Sequence, residues 1–120
     1  MQTREEDINE LLDLVGVDPD LGGRDLLETA IDDCLYDQSL LKELTTRLYP
    51  ALAYKFETTA ALVERRMRYA VKGLVNSMTT RRLDAMQERY GVDWMRPVLS
   101  GKNPTVGKFL TASVNILRTL

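Results

Sequence analysis

The sequence predicts an all-α fold, about six helices in one compact domain that contains a helix-turn-helix. Apolar residues recur at i, i+3, i+4 and i+7 along almost the whole chain. No stretch alternates with period two for long. Glycine, proline or a hydroxyl residue stands between the periodic runs, where helices stop and start.

The first helix spans about 4–15, with Ile8, Leu11, Leu12 and Val15 on one face, and Gly16 and Pro19 end it. Residues 1–7 form an acidic N-terminus expected to be flexible. Gly22-Gly23 read as a second break. A second helix, about 24–37, aligns Leu27, Ala30, Ile31, Cys34 and Leu35, with Asp25, Glu28, Asp32 and Asp33 facing out or in its first turns. Cys34 lies inside that apolar stripe and is expected to be a buried structural thiol. Ser39 serves as the N-cap of a third helix carrying Leu40, Leu41, Leu44 and Leu48. Pro50 fits the first turn of a short fourth helix, about 50–56, with Leu52, Ala53 and Phe56 inward.

Glu57-Thr58-Thr59 is a tight polar connection, and either threonine can cap a long fifth helix over 60–77. Thr79 or Thr80 caps a sixth, about 81–90, with Leu83, Met86 and Tyr90 inward, and Gly91 ends it. Residues 91–104 read as an irregular connection packed by Trp94 and Val98. Asn103-Pro104-Thr105 opens a last helix with Phe109, Ser113, Ile116, Leu117 and Leu120 on one face.

The chain of 120 residues has no histidine and a single cysteine. Ser-His-Asp triads, Cys-His dyads and His/Cys zinc sites are therefore excluded, and so is an intrachain disulfide. Asp32-Asp33 and Asp18/Asp20 are paired carboxylates without a third ligand at fitting spacing. No enzyme, metal or cofactor is expected. No run of about 18 apolar residues is present to span a bilayer, and the polar acidic start is unlike a signal peptide. A cytoplasmic protein with no membrane partner is the expectation.

Charge is split along the chain. Residues 1–44 hold 13 acids and 3 bases, whereas residues 45–120 hold 5 acids and 13 bases. A net charge of −2 thus conceals a basic region suited to nucleic acid. On a helical wheel of 60–77, Val63, Met67, Ala70, Val71 and Leu74 share an apolar sector. Opposite them Ala61, Arg65, Arg68 and Lys72 form an outward row, the arrangement a helix needs to enter a major groove. Glu64 flanks the row and suits cytosine N4. Leu62, on the flank shared with Tyr69, suits a thymine methyl if it faces the groove. Lys55, Thr58, Thr59, Tyr69, Lys72, Arg81 and Arg82 are candidates for the phosphate backbone. Arg66 is expected to lay its stem along the core edge while its guanidinium reaches water or a backbone carbonyl. Arg81-Arg82 oppose the dipole of the helix they open, which favours an anionic partner there.

Leu48-Tyr49-Pro50, Ala53, Lys55-Phe56, Thr58-Thr59-Ala60, Val63-Glu64-Arg65, Arg68 and Ala70 together resemble the C-terminal effector domain of the stage-zero sporulation response regulator family. The likeness extends through Gly16-Val17, Leu27-Glu28, Ala30-Ile31 and Pro104-Thr105, from about residue 8 to the end. Ala61 and Leu62 stand where that family has Ser-Arg, and Arg66 where it has a small residue. The resemblance implies a helical transcription-factor domain whose fifth helix reads double-stranded DNA. It also implies a homodimer on DNA, with the last helix (Phe109, Ile116, Leu117) as the contact. RNA polymerase is a further expected partner. A receiver domain, which precedes the effector in that family, does not fit in these residues. The alternative is a diverged protein-interaction module that modulates a full-length regulator without specific DNA binding.

Overall fold

The computed structural model describes residues 2–20, 22–91, 94, 98 and 105–120, and among these it shows six α-helices and no strand. They are α1 (Arg4–Val15), α2 (Gly22–Tyr36), α3 (Tyr49–Lys55), α4 (Ala60–Ser77), α5 (Thr80–Tyr90) and α6 (Val106–Leu117). The all-α expectation holds.

Local chemistry sets most boundaries. Thr3 caps α1 through the Glu6 N–H, and the Glu6 carboxylate takes the Thr3 N–H in return. Glu5–Asp7, expected in a flexible lead-in, are therefore the first turn of α1, where negative charge suits the dipole. Gly16 ends α1 at φ 90°, a conformation glycine adopts without strain. It also leaves room for a neighbour, since a Cβ there would lie 2.8 Å from Cζ of Arg82.

Gly22-Gly23 do not break the chain; they are the first residues of α2. The reason is tertiary. A Cβ on Gly23 would come within 2.7 Å of the Arg66 carbonyl oxygen and 2.9 Å of the Ala70 Cβ, so glycine lets α2 press directly on α4. The α2 core residues Leu26, Leu27, Ala30, Ile31 and Cys34 are all buried. Burial first, then Asp33 and Asp37, pushes the Cys34 thiol up to about 11, which keeps it protonated and unreactive.

The third predicted helix is not an α-helix. Gln38–Lys42 form a 3₁₀ turn and Leu44–Leu48 a π turn that runs into α3. The cap is Asp37 rather than Ser39: its carboxylate accepts from both the N–H and the hydroxyl of Ser39. These bonds, chiefly the hydroxyl's, hold the Asp37 carboxyl below its usual range, with Arg47 adding to the effect. Arg47 spans the segment by pairing with Asp37 at 3.0 Å and with Glu43 at 2.6 Å.

The core joins all six helices, with Phe109, Leu11, Leu12, Leu27, Ile31, Leu52, Met67 and Met86 fully buried in it. Trp94 and Val98 are buried as expected, and Trp94 meets Tyr90 edge-on at 6.1 Å. Pro97, Gly101, Asn103 and Pro104 lie outside the described residues. Two inward assignments fail. Phe56 is 38% exposed because α3 ends at Lys55 and the chain turns away, and Leu120 is 53% exposed because α6 ends at Leu117.

Candidate nucleic-acid interface

α3 and α4 are the two arms of the predicted helix-turn-helix. Pro50 sits in the first turn of α3, where its missing N–H costs nothing. After Lys55 the Phe56 N–H returns to Leu52 O and the Thr58 N–H to Ala53 O, closing the turn. Glu57 carries the turn at φ 52°, the left-handed region that disfavours a side chain by about 1–2 kcal/mol. Glycine relieves that strain but adds about 0.5–1 kcal/mol of backbone entropy in the unfolded chain. Glu57→Gly should therefore raise stability by about 0.5–1 kcal/mol in urea unfolding. A loss of stability would show that the Glu57 side chain supports the turn.

Thr59, extended at φ −107°, caps α4 by accepting the Leu62 N–H at 3.2 Å. Thr58 is half-buried beside it. Val63, Met67, Ala70, Val71 and Leu74 are the buried face of α4, as the wheel predicts. On the opposite face Ala61, Arg65, Arg68 and Lys72 are exposed in one row. At 1.5 Å per residue the row runs about 16 Å along α4.

Inside the row the residues differ. Arg65 and Lys72 make no ion pair or hydrogen bond among the described residues, whereas Arg68 is paired with Glu64 one turn back. Glu64, Arg68 and Lys72 border an open groove of about 460 Å³ that reaches Tyr49 and Thr105. Burial, and secondly Glu64, raises the Tyr49 phenol above its ordinary value, with Arg68 opposing, so Tyr49 is a neutral hydroxyl there. Leu62 is half-buried and outside the main core cluster. Tyr69 is 70% exposed on the same flank.

The remaining candidates are not equivalent. Lys55 is bound to Asp33 of α2 at 2.8 Å. Arg81 is exposed and open. Arg82 is turned inward: its guanidinium donates to the Asp13 and Leu14 carbonyls at 3.2 and 3.4 Å. The anionic partner expected at Arg81-Arg82 is thus, for Arg82, the negative end of the α1 dipole. Arg66 runs its stem past Gly22 of α2 and is exposed to water. The structure also describes the three residues expected at a dimer contact. Phe109, Ile116 and Leu117 are buried within this chain, so α6 spends that face on the core.

Sequence reasoning missed Arg24. It is only 5% exposed and ties α1, the following loop and α2 together. An arginine in the first turn of a helix, against the dipole, is the one signal that marks it.

A short helix, a tight turn and a second helix with one face in the core and a cationic row outside define a helix-turn-helix domain of the DNA-binding class. The chain belongs to the family described as sporulation initiation factor Spo0A C terminal, which matches residues 8–112. It is accordingly a transcription-regulation domain of the sporulation-type, response-regulator effector class. That family is regulatory and not a family of enzymes. No helix among the described residues is long and apolar enough to cross a membrane.

Proposed function

We propose that this domain binds double-stranded DNA sequence-specifically, with α4 in the major groove, and acts in the cytoplasm without catalysis. The observation that carries the reading is the exposed row Ala61–Arg65–Arg68–Lys72, backed on the other side by a fully buried apolar face. α4 is rigidly held, and its cations are the part left to a partner. Arg65, exposed in that row, forks onto guanine O6 and N7 in this reading. Glu64 and Arg68 enter as a pair, the carboxylate accepting from cytosine N4 while the guanidinium turns to a base or a phosphate. Lys72, Arg81, Tyr69 and the hydroxyl of Thr59 serve the phosphates.

Residues 45–120 hold 13 bases against 5 acids, so an acidic chain can still bind DNA through its basic part. With about 4–6 phosphates neutralised, log K against log salt should fall with a slope of about −4 to −5. A fluorescence anisotropy titration at several salt concentrations, against random and sporulation-type duplexes, checks this. A flat salt dependence would refute the reading and favour a protein-interaction module.

A further inference from the structure

We infer that Arg66 grips the DNA phosphate backbone along the edge of α4 that faces α2, a contact separate from the outward row. The inference rests on α4 lying in the groove.

Three observations carry it. First, Arg66 is exposed and makes no hydrogen bond or ion pair among the described residues. Apart from Arg65 and Arg81, every other described arginine is engaged. Arg4, Arg24, Arg47, Arg68 and Arg89 pair with carboxylates, Arg82 with the end of α1, and Arg118 with Gln38.

Second, its direction is set by the helix. At about 100° per residue, Arg66 is a quarter-turn beyond Arg65, on the flank it shares with Leu62, Tyr69 and Gly73. A helix lying in a groove about 12 Å wide points its outward row at the base edges and its flanks at the two phosphate walls. Arg66 addresses a wall, and the guanidinium fork matches phosphate oxygens. The opposite flank differs in charge, because Glu64 there already occupies Arg68.

Third, the surroundings hold the backbone of Arg66 still and leave its head uncovered. Its carbonyl lies against Gly23 of α2, so closely that a Cβ there would be 2.7 Å away. Its stem passes Gly22, where a Cβ would be 3.9 Å from the Arg66 Cδ. At that point α2 presents a glycine, and Arg66 is exposed. Tyr69, three residues on, adds a hydroxyl to the same wall.

The test uses the full chain and a duplex selected by it from a random pool. Salt titrations compare the parent with Arg66→Ala and Arg66→Lys, each also put through site selection and thermal unfolding. Arg66→Ala should make the log K against log salt slope shallower by about 1, weaken all duplexes alike and leave the selected sequence and the melting temperature unchanged. Arg66→Lys should restore the slope, since a phosphate accepts a point charge. An unchanged slope in Arg66→Ala overturns the inference, as does a shifted base preference, which would place Arg66 on a base. If the parent binds duplexes and Arg66→Ala binds them with the same slope, this inference alone fails. If the parent binds no duplex, the DNA-binding reading fails with it.

Discussion

Replacing Arg65 and Arg68 together by alanine should cost most of the duplex affinity while the domain stays folded. Both side chains are exposed on the face of α4 opposite Val63, Met67, Ala70, Val71 and Leu74, so truncation opens no cavity. Alanine is also the better helix former at either position. Within the described residues the double change breaks only the pair between Arg68 and Glu64, an exposed i,i+4 pair worth about 0.3–0.5 kcal/mol. Taking two guanidinium groups away from bases costs about 1–3 kcal/mol each, a combined fall of roughly 30-fold to 10⁴-fold in affinity. Anisotropy titration and a thermal melt of the same sample separate the two quantities. A double variant that binds as tightly as the parent would remove α4 from the groove. One that unfolds would mean the arginines support the fold instead.

What the sequence discloses about this molecule follows the range of the forces involved. α4 is legible to the residue because its cap, Thr59, and its apolar spacing are local and agree. The segment over 38–48 is not, since the spacing of Leu40, Leu41, Leu44 and Leu48 suits an α-helix equally well. The 3₁₀ and π turns are braced by Arg47 reaching ten residues back to Asp37. Gly22-Gly23 carry the local mark of a loop, and only the approach of Arg66 and Ala70 makes glycine a helix residue there. The stripe of Phe109, Ile116 and Leu117 is legible as an apolar face. Whether such a face meets the core or a second copy depends on what stands opposite it, and here the core does.

The cationic site shows the same division. The wheel places Arg65, Arg68 and Lys72 correctly outward, because facing depends only on helix period. It is silent on Arg82, whose partners are 68 and 69 residues away, and on Lys55, held by Asp33 across 22 residues. Both look like free surface cations in the sequence. In the folded chain they fasten α5 to α1 and α3 to α2, and so help fix the frame on which α4 is mounted.

Arg24→Met should be among the most destabilising single changes at a charged residue, lowering unfolding free energy by about 2–4 kcal/mol. The guanidinium is almost wholly out of water and donates to the carbonyls of Val17 at 2.9 Å and Asn9 at 3.3 Å, and to Asn9 Oδ1 at 3.1 Å. It also meets the carboxylates of Asp13 at 2.8 Å and Glu28 at 3.3 Å. Methionine fills most of the stem's volume, so the loss is polar rather than a cavity. Asp13 and Glu28 keep access to water and tolerate the change. The Val17 carbonyl does not, because Val17 is buried, and an orphaned buried acceptor costs about 1–3 kcal/mol. The natural control is Arg47→Met. Arg47 also holds two carboxylates but is half-exposed, and solvent screens such pairs so that they contribute little. Urea unfolding of both variants should therefore separate them by at least about 1 kcal/mol, with Arg24→Lys recovering only part of the difference, since a point charge cannot reach all the acceptors at once. Equal midpoints for Arg24→Met and Arg47→Met would show that the junction of α1 and α2 is held by its apolar contacts alone. If the clamp is as described, the folded fraction of Arg24→Met should still bind DNA like the parent, because α4 is positioned through Gly23 and the core and not through this arginine.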